Sequence, residues 1–119
     1  MRAETSAAFD SVLEAVPPEV GGATLDAAIV RLWPGMDARE ATAGVLAGAS
    51  QVLGRAVVGV ERGGASDASH MATVIPVTVD GLGPRGGGAH NPREYVLTES
   101  LKSRAEVALA LVAVLLGIA

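Results

Sequence analysis

GGASDASHMATVIPVTVDGLGPRGGGAHNPREYV, residues 63 to 96, runs from a polar turn through an apolar stretch into a glycine-rich loop that holds one imidazole, His90. Ile75 to Val79 reads as a strand, preceded by a short helix from Asp67 to Met71 and followed by a loop rich in glycine and proline. Gly81, Gly83 and Gly86 fit the pattern G-x-G-x-x-G behind that strand, which invites a dinucleotide-binding reading. Such a turn works by opening a helix whose N-terminus receives the pyrophosphate. Pro84, Gly87, Gly88 and the pair Asn91-Pro92 prevent a helix from starting there, so the pattern does not carry the mechanism. Two readings of the loop remain. It is a plain surface loop with an ordinary histidine, or a bare backbone that approaches a ligand, its amides forming a nest and His90 serving as a metal ligand.

Outward from this stretch the chain alternates helical and strand-like patterns. Phe9, Val12, Leu13 and Val16 recur at helical spacing and Pro17-Pro18 ends that helix, predicted over Glu4 to Val16. Ala23 to Leu32 alternates as a strand does, and Trp33-Pro34-Gly35-Met36 breaks it. Asp37 is placed to cap a helix with Glu40 three residues on, and Ala41, Val45, Leu46, Ala49, Val52 and Leu53 continue an apolar stripe to Gly54. Ala56 to Val60 reads as another strand. Thr98 is placed to cap a final helix from about Glu99 to Leu116, closed by Gly117. Strands separated by helices predict an α/β fold, with a parallel or mixed sheet containing Ala56 to Val60 and Ile75 to Val79 and the two long helices packed on it.

Composition narrows the partners. The chain has 119 residues, half of them apolar but only three aromatic, so its core must be built from Ala, Val and Leu. A net charge of -4 leaves no excess of Lys and Arg for phosphates, which argues against nucleic acid and against a membrane surface. The apolar tail VALALVAVLLGIA is 13 residues long, whereas a membrane span needs about 20, so it reads as a buried helix. With no cysteine and no apolar leader, the default setting is a cytoplasm.

Residues 63 to 96 resemble the C-terminal part of the catalytic domain in the metal-dependent exopeptidase and aminoacylase family, which includes glutamate carboxypeptidase, acetylornithine deacetylase and succinyl-diaminopimelate desuccinylase. The succession G-G-A-S-D, an apolar strand, D-G-L-G-P, a glycine run and A-H-N-P-R-E-Y-V is most similar to the glutamate carboxypeptidase-like branch. The resemblance implies the C-terminal portion of a zinc-exopeptidase-type sheet with flanking helices over residues 34 to 119. Residues 1 to 33 would be the last helix and strand of a lid or dimerisation domain.

By the same resemblance, His90 corresponds to a ligand of one of two zinc ions. Gly86, Gly87 and Gly88 fall where backbone lies against the substrate's carboxylate end. Ser66, Asp67 and Glu94 fall at supporting positions. Where family members carry R-P-P-M this chain has Trp33-Pro34-Gly35-Met36, which leaves Arg31 as the stand-in for a substrate-gripping cation. The family's H-x-D motif, bridging aspartate, adjacent glutamate pair and remaining acidic ligand belong to an N-terminal half without counterpart here, so no catalytic residue is assigned. The implied protein is a fragment or subunit of a zinc-dependent amidohydrolase or metallopeptidase of carboxypeptidase or N-acyl amino acid deacylase type. It would act on a small amide or peptide once a missing N-terminal half, or a homo-oligomer, completes it. The alternative is a noncatalytic, degenerate remnant that acts only by association.

Overall fold

In the computed structural model, residues 3 to 119 are described, with side chains from Ala8 onward. The chain divides into two compact units, Met1–Gly35 and Met36–Ala119. The first contains helix α1 (Ala3–Glu14) and a hairpin of two-residue strands, β1 (Glu19–Val20) and β2 (Ala23–Thr24). Leu13 accepts a bond from Val16 N–H at 3.1 Å, which tightens the last turn before Pro17 and Pro18 remove further donors. Gly21 and Gly22 take positive φ in the hairpin turn, at 58° and 81°.

The strand expected over Ala23 to Leu32 is real only at its start. Leu25 N–H still reaches Pro18 O at 2.9 Å, but beyond it no ladder partner exists among the described residues. Leu25, Ile29 and Val30 stay exposed.

The second unit is built on a helix pair, α2 (Arg39–Leu53) and α4 (Ser100–Leu116), with the short α3 (Asp67–Met71) between them in sequence. Val45 and Ala49 of α2 bury against Val107, Ala110 and Leu111 of α4, and Leu46, Leu53, Val57, Val79, Leu82 and Val114 pack around them. Gly48 lies against Val114, whereas Arg55, just past the end of α2, bonds Ser103 O and Glu106 Oε2. Both helices end as the sequence indicates, on glycines in the left-handed conformation, Gly54 at φ 62° and Gly117 at φ 66°.

Their N-termini depart from expectation. Asp37 does not cap α2; its carboxylate is held by Arg39 at 2.7 and 2.9 Å, and Ala38 occupies the cap position without a side-chain bond. The ion pair shares Oδ1 with the Arg39 backbone N–H, which donates to it at 3.4 Å, a long bond to the first helical residue and not to the second or third as in a cap. Thr98 likewise gives α4 no side-chain cap, and Glu99 occupies the cap position without a side-chain bond.

The larger correction concerns the sheet. Ala56 to Val60 and Ile75 to Val79 form no strands, and the ladders among the described residues are β1 with β2 and β3 (Gly86–Gly87) with β4 (Tyr95–Val96), both antiparallel. Local bonds have replaced the missing neighbours. Val57 N–H donates to Ser50 Oγ at 2.9 Å, Ile75 N–H returns to Met71 O at 2.8 Å, and Thr78 Oγ1 donates to Ile75 O at 2.6 Å. Ser and Thr hydroxyls offer an extended backbone an alternative to a ladder, and they prevail where no adjacent strand is present. The result is a mixed helix and strand chain, not a closed α/β layer.

The helix pair sets a direct test. A Cβ on Gly48 would lie 2.9 Å from Val114 Cγ1, while one on Gly44, a turn earlier in the same helix, meets nothing within 4 Å. Gly44→Ala should therefore raise stability by about 0.5 to 1 kcal/mol through helix propensity. Gly48→Leu should lower it by about 1 to 3 kcal/mol through overpacking. Urea denaturation followed by far-UV circular dichroism distinguishes the two shifts.

Candidate functional site

The loop that carries His90 is a hairpin. Gly86 pairs with Val96 and Gly87 with Tyr95, and the chain between them reverses in two linked turns. Asn91 N–H donates to Gly88 O at 3.0 Å, Glu94 N–H donates to Asn91 O at 2.9 Å, and the Asn91 side chain accepts from Arg93 N–H at 2.9 Å. Asn91 thus closes the first turn and opens the second, as its short polar side chain allows.

His90 is the third residue of the first turn and has φ 63°, the only described residue other than glycine with positive φ. Turns with positive φ at that position ordinarily place Gly or Asn there. A side chain with a Cβ pays about 1 to 2 kcal/mol for the left-handed conformation. The imidazole is exposed at the tip.

The three glycines have a local cause. A Cβ on Gly86 would strike the Tyr95 carbonyl, and one on Gly87 would lie 2.9 Å from the Tyr95 hydroxyl. Gly88 has φ 70°, with Arg93 O 3.3 Å from where its Cβ would stand. Close strand approach under Tyr95 thus requires glycine at 86 and 87, and the turn favours it at 88. Glu94 contributes to the loop through its backbone N–H, and its side chain is exposed.

Ser66 and Asp67 sit at the start of α3. Ser66 Oγ donates to Asp80 Oδ2 at 2.6 Å, which ties α3 to the entry of the glycine loop. That hydroxyl, then Gly81 N–H, hold the Asp80 carboxyl below its ordinary range by bonding its charged form. His70 is exposed on α3. Arg31, in the other compact unit, lies over the Trp33 ring at 5.9 Å from its centroid, a cation-π contact.

Three residues that sequence reading passed over complete the loop's support. Ser100 is buried, and its Oγ accepts from Arg85 N–H at 2.8 Å while donating to Leu97 O at 2.6 Å. Arg104 Nε donates to Gly83 O at 2.9 Å, and the same guanidinium reaches Gly81 O. Asp80 is the third. Their spacing held part of the signal. Ser100, Arg104, Val107 and Leu111 form one stripe of α4, polar where it meets the loop and apolar where it meets α2.

The arrangement does not fit a complete metal centre. Among the described residues no group of three His, Cys, Asp or Glu side chains is placed to hold an ion, and a catalytic zinc needs about three protein ligands. His90 is one exposed donor. An open groove of about 510 Å³ at the C-terminal ends of α2 and α4 is lined by Gly48, Gln51, Val52, Val114, Gly117 and Ala119, away from the hairpin. Among the described residues no helix is long and apolar enough to cross a membrane.

Comparison with known proteins gives one match. The sequence model of peptidase family M20/M25/M40 matches residues 8–114. No curated protein and no solved structure matches.

The strained histidine can be tested without any ligand. His90→Gly removes the left-handed penalty at the cost of a more flexible unfolded chain, so it should leave stability unchanged or raise it by up to about 1 kcal/mol. His90→Ala keeps the Cβ and should gain nothing. Chemical denaturation of the two variants decides, and an alanine variant more stable than the glycine variant would contradict the strain.

Proposed function

Because the chain belongs to peptidase family M20/M25/M40, a family of metallopeptidases and amidohydrolases, we propose that it contributes His90 to a metal-dependent hydrolase centre whose other ligands come from polypeptide outside the described residues. The observation that carries this reading is the conformation of His90. A histidine kept at φ 63°, where glycine would sit without strain, on a hairpin held by side chains of α4, is costly for an ordinary surface loop. Residues held in sparsely populated backbone regions cluster at active sites and ligand clamps.

The metal is zinc in this reading, two ions in the complete site, with His90 holding one of them. A bound zinc would polarise the carbonyl of the scissile amide and lower the pKa of an attacking water. The substrate class is an amide between an acyl group and an amino acid or terminal residue, as in the glutamate carboxypeptidase-like branch. The backbone of Gly86, Gly87 and Gly88 would lie along its carboxylate end. The completing element is a family-type N-terminal half, present in the same cytoplasmic setting, that also supplies strand neighbours for residues 56 to 60 and 75 to 79. Exposed Val58, Val60, Ile75 and Val77 along those segments support such a neighbour. By itself the chain is inactive.

One observation favours a second reading, a noncatalytic remnant acting by association. Arg31 lies over the Trp33 indole, so carboxylate binding by Arg31, in the place where the resemblance expects a substrate-gripping arginine at 33, would have to displace a cation-π contact.

Complementation separates the two. The purified chain should show no zinc-dependent hydrolysis of N-acyl amino acids or glutamate conjugates, and addition of a separately expressed family N-terminal half should restore it. His90→Ala should abolish the restored activity while the two polypeptides still co-elute. Association without activity, unaffected by His90→Ala, would support the remnant. Turnover by the chain alone would overturn the proposal.

A further inference from the structure

The hairpin is not held by its own ladder. Two paired positions, Gly86 with Val96 and Gly87 with Tyr95, are too few to be stable in water, since even a full two-stranded hairpin is marginal. What holds it is the first turn of α4 and the residue one turn further on. Arg85, at the foot of the hairpin, donates its N–H to Ser100 Oγ at 2.8 Å, and the same hydroxyl donates to Leu97 O at 2.6 Å, so one side chain of α4 joins both arms, while Leu97 N–H to Arg85 O at 2.8 Å adds one more bond between the arms. Upstream, Arg104 bonds the carbonyls of Gly83 and Gly81 with two donors, Nε and Nη2, of one guanidinium. The planar fork of arginine suits two acceptors in a way the ammonium of lysine does not. Gly81 itself has φ 68°, so this segment has no regular structure that would hold it otherwise.

Neither residue belongs to the apolar contact between the helices. Val107, Ala110 and Leu111 make that contact, further along α4. Resting on the metal-site reading of His90 given above, we propose that Ser100 and Arg104 are positioning residues: they fix both approaches of the hairpin on α4, so that His90 is presented in one backbone conformation before any metal or partner arrives. Asp80 continues the same support one residue upstream of Gly81, through Ser66.

The test uses the full chain, ¹⁵N-labelled, without metal or partner, so it can succeed even if the metal-site reading fails, and the reverse holds too. Amide hydrogen exchange and the His90 backbone and imidazole signals are followed in wild type, Ser100→Ala, Ser100→Thr, Arg104→Gln and Arg104→Lys. In Ser100→Ala and Arg104→Gln, exchange of the Asn91, Glu94 and Leu97 amides should rise at least tenfold and the His90 signals should broaden or split. Amides of Val45, Ala49, Val107 and Leu111 should keep their protection. Ser100→Thr, which retains the hydroxyl, should restore loop protection, whereas Arg104→Lys, which loses the fork, should not. Unchanged loop exchange and an unchanged His90 signal would overturn the proposal. So would an equal loss across α2 and α4, or outright unfolding, since either would make Ser100 and Arg104 struts of the core and not devices of the loop.

Discussion

Ala49, fully buried, lies with Val45 against Val107, Ala110 and Leu111, and the packing of α4 on α2 depends on that contact. It fixes α4 relative to α2, and α4 in turn carries the hydroxyl and the guanidinium that hold the glycine hairpin. The contact is small. Its buried side chains are two valines, two alanines and one leucine, because the chain has almost no aromatic residues to fill a wider gap. Gly48 lets the helices approach closely enough for such a set to seal. Full burial of a Val or Leu side chain is worth about 1.5 to 3 kcal/mol, so the core stabilises the unit by a modest margin. Much apolar surface is left uncovered, including Leu109, Val112, Leu115 and Leu116 on the outer side of α4.

The hairpin shows one sequence feature serving two needs. Glycine at 86 and 87 lets Tyr95 close over the backbone, and positive φ at Gly88 starts the reversal that ends at His90. A ligand is not required to explain those glycines. It is the histidine that sterics alone do not explain, since the backbone there favours the residue types found at 81 and 88. Chemistry of the imidazole is the property that glycine lacks.

Both long helices and α3 were legible in the sequence because each carries its own signal: an apolar stripe at helical spacing, a following glycine, or a serine at the start. The sheet was not, because strands are defined by neighbours. Val57 and Thr78 lie in segments with the right composition, yet with no adjacent strand the Val57 N–H turns to Ser50 Oγ and the Thr78 hydroxyl to Ile75 O. Capping was misread for a related reason. Asp37 has the residue type of a cap, but Arg39 two positions on competes for the same oxygens. Of the candidate site, the hairpin and His90 were visible as a motif. Ser100 and Arg104 were not, because a polar residue on a helix face gives no sign of which distant carbonyl it meets.

The chain belongs to peptidase family M20/M25/M40, no group of three candidate ligands is brought together among the described residues, and the proposal made for His90 is that of a single ligand in a prepared loop. Zinc titration of the isolated chain by calorimetry addresses that claim most directly. One exposed imidazole should give weak binding, readily stripped by a chelator and lost in His90→Ala. Tight one-to-one binding that survives His90→Ala would contradict the account, because it would require a complete ligand set among residues that the structure does not bring together.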